Sequence, residues 1–167
     1  APREASALAA LCRRHGVLFI VNDDLELALE CGADGLHLGR EDGALASARR
    51  RLGGKILGAS CYSSLPAARA AAAAGADYIA FGSVFDSPTK PSAVRAPHSL
   101  FGEARALGVP LVAIGGITLE NAPQLLRAGA DALAVISDLF DAPDIAARAR
   151  AYGKLFRHDD THHTYHT

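Results

Sequence analysis

Two aspartates, Asp23 in Phe19-Ile20-Val21-Asn22-Asp23-Asp24 and Asp42 in Gly39-Arg40-Glu41-Asp42, are placed to do chemistry. Each closes an apolar β-like run and opens a helical one. In a parallel α/β sheet that junction is the carboxyl edge of a strand, where ligands bind. The two are about one strand-helix unit apart, so their carboxylates belong to adjacent strands. Hard oxygen ligands placed this way suit Mg²⁺, which takes one or two protein carboxylates and fills its octahedron with water and substrate phosphates. Each aspartate also fits a plainer duty. Asp23-Asp24-Leu25-Glu26 reads as a capping box with Asp23 as the cap, and Asp42 can cap a helix starting at Gly43. Capping and metal binding both stay open on residue type alone.

A second set of residues suits phosphate. Gly115-Gly116-Ile117-Thr118 ends an apolar run and enters a helical one, and Ile136-Ser137-Asp138 is the next such junction. Glycines let backbone amides approach a phosphate, and a helix N-terminus favours negative charge. Barrel enzymes build phosphate sites from the loops after their last two strands. Ser87-Pro88-Thr89-Lys90-Pro91 adds hydroxyls and a cation within 85–98, the one long connection, which carries three prolines and no apolar period. Ser60 ends Ile56-Leu57-Gly58-Ala59-Ser60 and can donate to a phosphate oxygen or cap the next segment of chain. His37 alternates with Leu36 and Leu38, so it faces the other side of its strand and reads as a hydrogen-bonded core histidine.

The elements that must position these residues repeat along the chain. Gly32-Ala33-Asp34, Gly75-Ala76-Asp77 and Gly129-Ala130-Asp131 each follow an Ala/Leu-rich amphipathic stretch and precede an apolar run. Gly is the expected helix terminator, since it takes positive φ without steric cost. The pattern predicts strands at 17–22, 35–39, 55–60, 78–84, 110–115 and 132–137. Helices are predicted at 3–15, 24–31, 43–52, 64–74, 99–107, 119–128 and 142–155. Strand alternating with helix means βαβ crossovers and a parallel sheet.

At 167 residues and 50% apolar the chain fits one domain, placed at 1–156, with a His-rich tail from 157 to 167 that lacks a core pattern. A net charge of −1 without a basic stripe argues against nucleic acid as partner. No apolar run is long enough to span a bilayer. The opening residues carry no leader pattern, and Cys12, Cys31 and Cys61 read as reduced apolar packers, with Cys61, near a strand end, the candidate for a reactive thiol. The cytoplasm is the expected location.

Together the motifs resemble the thiamine phosphate synthase family. The likeness runs through Ile20-Val21-Asn22-Asp23-Asp24, Gly32 to Asp42, Gly58-Ala59-Ser60, Phe81-Gly82-Ser83-Val84-Phe85, Ser87-Pro88-Thr89-Lys90-Pro91, Ala113 to Thr118 and Gly129 to Ser137. It implies a TIM (β/α)8 barrel and a magnesium-dependent transferase that joins hydroxymethylpyrimidine diphosphate to a thiazole phosphate and releases pyrophosphate. It further implies that Asp23 and Asp42 hold Mg²⁺ and that Asn22, Ser60 and Lys90 contact the pyrimidine diphosphate, with Ser60 and Lys90 catalytic. Ser87, Pro88, Thr89, Gly116, Ile136 and Ser137 would bind the thiazole phosphate.

Three departures from the family pattern stand out. Arg40 replaces a usual Gln, and Tyr62 stands where His is frequent. The family's earlier Gln-x-Arg-x-Lys segment, which grips the diphosphate, is not in the sequence, and six strands are visible where a closed barrel needs eight. The expectation is therefore that roughly 45–60 further residues precede Ala1 in the natural polypeptide, at the usual size of a barrel repeat. A six-stranded sheet alone would expose its edge strands and invite pairing into a homo-oligomer. Rival readings are a thiazole tautomerase, which the family likeness ties to His at position 62 and to loss of the Asp pair, and a non-catalytic phosphate-binding barrel.

Overall fold

Each Gly-Ala-Asp repeat ends a helix and starts a strand. Gly32, Gly75 and Gly129 adopt φ of 67°, 102° and 114°, the left-handed turn a side chain resists. The aspartate two residues later then locks the neighbouring strand. Phe19 N donates to Asp34 Oδ2 at 2.7 Å, Leu57 N to Asp77 Oδ2 at 2.8 Å and Leu111 N to Asp131 Oδ2 at 2.9 Å. In return the amides of Asp34, Asp77 and Asp131 donate to the carbonyls of Phe19, Leu57 and Leu111. Three copies of one paired clasp thus set the amino edge of the sheet.

A computed structural model describes residues 2–39, 44–86 and 94–157. The elements run α1 (Pro2–Arg14), β1 (Ile20–Asn22), α2 (Leu25–Glu30), β2 (Gly35–Leu38), α3 (Ala44–Leu52), β3 (Ile56–Tyr62), α4 (Leu65–Ala73), β4 (Tyr78–Phe81), α5 (Ser99–Ala104), a 3₁₀ turn (Arg105–Leu107), β5 (Leu111–Ile114), α6 (Ala122–Ala128), β6 (Ala132–Ala134), α7 (Ser137–Phe140) and α8 (Ile145–Arg157). All neighbouring strands pair parallel, in the order β1-β2-β3-β4-β5-β6, as a curled half-barrel.

The predicted strands and helices are found in the predicted order, but β1 starts only at Ile20, β4 ends at Phe81 and α6 starts at Ala122. Three further corrections concern the sheet. β3 runs on to Tyr62 through a register shift between Ser60 and Tyr62. The last strand stops at Ala134, because Ile136 turns helical and Ser137 opens α7 instead of closing a strand. The sheet has six strands among the described residues, so the eight-stranded closure expected of a TIM barrel is not formed by them.

The core lies between the sheet and its helices in two contiguous clusters. One joins Val21, Leu36 and Leu57 to Ala5, Ala28, Ala48 and Leu52 of α1 to α3. The other joins Ile79, Phe81 and Leu111 to Phe101, Leu125 and Tyr152 of the later helices. Phe81, Phe101, Leu36, Leu57, Ile79, Leu111 and Leu125 are fully buried, each contributing about 1.5–3 kcal/mol of transfer free energy. Strand residues alternate faces. With Leu36, Leu57 and Ile79 turned to the helices, His37, Gly58, Ser60 and Tyr78 are left for the opposite face.

Candidate active site

The carboxyl end of β1 holds the first functional cluster. Asp23 has φ +66°, its amide donates to His37 O at 2.9 Å, and Asp24 N turns back to Asn22 O at 2.9 Å. That is a tight three-residue turn with a strained centre. Its effect is to move the capping duty one residue along. Asp24, not Asp23, is the N-cap of α2, accepting from Leu27 N at 3.0 Å. The capping-box expectation for Asp23 is therefore corrected. Its exposed carboxylate accepts instead from Asn22 Nδ2 at 3.0 Å.

Asn22 lies beside His37 in the β1–β2 register. His37 sits between two hydroxyls, with Nε2 2.7 Å from Ser60 Oγ and Nδ1 2.8 Å from Tyr78 OH. Burial pushes the imidazole pKa below its ordinary value, against the charge of Asp23, which raises it. Burial likewise pushes the Tyr78 phenol up. Tyr78 fits because Gly58, its partner across the β3–β4 register, has no side chain: a Cβ there would stand 2.0 Å from Tyr78 Cζ. His37 is thus the hydrogen-bonded residue the alternation indicated. Ser60 is engaged by His37, and the helix cap considered for it falls to Ser64, which accepts from Ala67 N at 3.1 Å. Tyr78 escaped sequence reasoning, since it sits in an apolar run and its partner is 41 residues away.

Cys61 is 2% exposed, packed into the core with its Sγ toward Ala59 O at 3.9 Å, which removes it as a reactive thiol. Tyr62 is 45% exposed at φ +55°, beyond the register shift.

The second cluster is at the ends of β5 and β6. Gly115 and Gly116 have φ of 105° and 66°, and a Cβ on Gly116 would meet Asp86 O at 2.4 Å. Only glycine lets the two backbones approach so closely. Asn121 braces the turn after these glycines: its Oδ1 accepts from Thr118 N at 2.8 Å and its Nδ2 donates to Gly116 O at 3.0 Å. Ser137 is exposed at the start of α7, beside Ile136, which is 69% exposed. Asp42, Ser87, Pro88, Thr89, Lys90 and Arg40 lie outside the described residues. The residues flanking that loop are tied together, Arg95 Nε donating to Asp86 Oδ1 at 3.0 Å.

A family model described as thiamine monophosphate synthase matches residues 2–139. The chain belongs to this family. The thiamine-phosphate synthase of Aromatoleum aromaticum is 64% identical over 92% of this chain and 74% of its own length. That of Chromobacterium violaceum is 61% identical over 92% and 75%. Among solved structures, the thiamine phosphate pyrophosphorylase from Pyrococcus furiosus superposes with a TM-score of 0.82 at 34% identity, over 95% of this chain and 78% of that one. A 3-hexulose-6-phosphate synthase from Salmonella typhimurium, with a TM-score of 0.73 at 21% identity over 92% and 80%, shares the fold alone. The family's likeness seen in the sequence motifs is thereby confirmed as membership.

Mg²⁺ fits what Asp23 offers. A hard anionic oxygen donor, exposed at a strand's carboxyl end and relieved of capping by Asp24, matches the ligand chemistry of that ion. Among the described residues no group of three or more His, Cys, Asp and Glu gathers as a metal cluster. No helix of the described residues is long and apolar enough to cross a membrane.

Proposed function

We propose that this chain is a thiamine phosphate synthase, a transferase that moves the hydroxymethylpyrimidine group from its diphosphate to a thiazole phosphate. The bond between the pyrimidine methylene and the diphosphate oxygen breaks, a bond from that methylene to the thiazole nitrogen forms, and pyrophosphate leaves. The observation that carries this reading is the family match over residues 2–139, joined to an Asp23 that its own fold keeps free of capping.

In this reading Asp23 and Asp42 hold Mg²⁺, which when bound would neutralise charge on the diphosphate. Asn22 orients Asp23 by its 3.0 Å hydrogen bond and contacts the pyrimidine diphosphate. Lys90 adds a second positive charge on the leaving group, so the methylene develops cationic character before the nitrogen attacks. Ser60 donates to the diphosphate. In this reading Tyr78 donates its O–H to His37 Nδ1, and the His37 proton on Nε2 points at Ser60 Oγ. Ser60 then accepts from His37 and has its own hydroxyl proton for a phosphate oxygen. Ser87, Pro88, Thr89, Gly116, Ile136 and Ser137 bind the thiazole phosphate.

The location is the cytoplasm, in keeping with Cys12, Cys31 and Cys61 being thiols outside any disulfide. The substrates are small molecules, without nucleic acid or membrane. A homo-oligomer belongs to the same proposal.

Incubation with both substrates and Mg²⁺, with thiamine phosphate and pyrophosphate measured together, tests the reading. The expected result is their release in equal amounts, dependent on Mg²⁺. Isomerised thiazole without pyrophosphate would point to a tautomerase, and binding without turnover to a phosphate-binding barrel.

A further inference from the structure

The turn into α7 has almost nothing of its own to hold it. The helix is four residues long, none of them buried, and Ile136 and Phe140 on either side of its first turn are 69% and 62% exposed. Apolar packing therefore does not set its position. Asp138 does. Its Oδ2 accepts from Leu119 N at 3.2 Å and from Tyr152 OH at 2.5 Å, and its Oδ1 accepts from Arg148 Nη1 at 2.7 Å. The same Arg148 nitrogen also donates to Asp138 O at 2.9 Å.

These partners belong to different parts of the fold. Leu119 follows Thr118 in the turn after Gly115 and Gly116, whereas Arg148 and Tyr152 stand on α8. Tyr152 is the residue by which α8 is sunk into the core, so the carboxylate is tied to a rigid post. Burial alone would raise the Asp138 pKa. The hydrogen bonds from Tyr152, Arg148 and Leu119 N, with the Arg148 charge, outweigh that and leave it lowered, so the carboxylate is charged at neutral pH.

We propose that Asp138 is a positioning residue that fixes the turn after β5 against the turn into α7 and thereby sets the affinity for the thiazole phosphate. The proposal rests on the placement of that phosphate at Gly116, Ile136 and Ser137. Asp138 does not touch the ligand. It holds the two backbone segments that do, because one carboxylate reaches both. An amide cannot replace it: Asn has one acceptor oxygen where Asp138 uses two, so Asp138→Asn must abandon either Arg148 or Leu119 N.

The test is calorimetric titration of the full chain with thiazole phosphate and, separately, with hydroxymethylpyrimidine diphosphate and Mg²⁺. Tyr152→Phe removes a single O–H and keeps the buried ring, so it should weaken thiazole phosphate roughly threefold to tenfold, and Asp138→Asn should weaken it more than tenfold. Diphosphate affinity should stay unchanged in both. Ser137→Ala serves as the reference for the phosphate placement, and melting temperatures report stability separately. Equal weakening of both ligands, or a lower melting temperature with thiazole phosphate affinity intact, would overturn the positioning role. If Ser137→Ala weakens thiazole phosphate while Tyr152→Phe and Asp138→Asn do not, the site stands and Asp138 has no part in it. If no variant, Ser137→Ala included, shifts that affinity, the phosphate placement is wrong and the positioning role falls with it.

Discussion

Tyr78 occupies the space that a side chain on Gly58 would fill. A Cβ at position 58 would lie 2.0 Å from Tyr78 Cζ and 2.3 Å from its hydroxyl oxygen. The ring is thereby brought to His37, stacked at 5.6 Å between centroids and hydrogen-bonded at 2.8 Å. Gly58→Ala should push the ring off this position and destabilise the fold by about 1–3 kcal/mol, the usual range for overpacking. Denaturant unfolding measures it. Replacing Tyr78 by Ala in the same chain should remove most of the Gly58→Ala penalty, and strictly additive losses would show that the two residues do not share this space.

Asp23 and Asp24 should separate cleanly. Asp24→Ala removes the cap on Leu27 N and should cost about 1 kcal/mol, with Mg²⁺-dependent binding of the diphosphate intact. Asp23→Asn should do the reverse, because Asn tolerates φ of +66° yet is a poor ligand for a hard cation. Unfolding curves and titration with and without Mg²⁺ check both. Unchanged Mg²⁺-dependent affinity in Asp23→Asn would sink the metal assignment.

Lys90 carries the second charge proposed for the leaving group. Lys90→Ala should weaken the diphosphate substrate about tenfold to a hundredfold, the worth of a hydrogen bond to a charged group, and leave thiazole phosphate nearly unaffected. Competition binding with each substrate measures it. Equal losses for both ligands would place Lys90 elsewhere.

The buried His37 makes stability fall with acid. Its folded pKa lies below the ordinary 6.5, so the unfolded chain binds the proton at higher pH than the folded one. The stability it contributes is complete above the unfolded value and is lost as pH falls from there toward the folded value, by at most about 1.4 kcal/mol per pH unit for one group. Urea unfolding of the wild type and His37→Gln from about pH 8 to about pH 5 isolates this residue from the carboxylates. The wild-type advantage should shrink on acidification. A difference that stays flat would mean that His37 does not titrate differently in the two states.

The elements were legible in the residues alone because their causes are local. Short apolar runs mark Gly35–Leu38 and Tyr78–Phe81, and a glycine that takes positive φ ends the helix before each. The carboxyl edge of the sheet, and with it Asn22, Asp23 and the Gly115-Gly116 turn, follows from strand direction. Spacing could not decide which of two adjacent aspartates caps α2. That choice hangs on the hydrogen bond from Asp23 N to His37 O across the sheet, which turns Asp23 outward. Nor could periodicity join His37 to Ser60 and Tyr78, or Asp138 to Leu119 and Tyr152. Those polar contacts bridge residues 14 to 41 positions apart, and their partners are chosen by how the strands and helices pack. A local pattern records the face on which a side chain lies. Only the folded chain decides what it meets there, because a hydrogen bond needs its two atoms within about 3 Å and sequence spacing does not measure that distance.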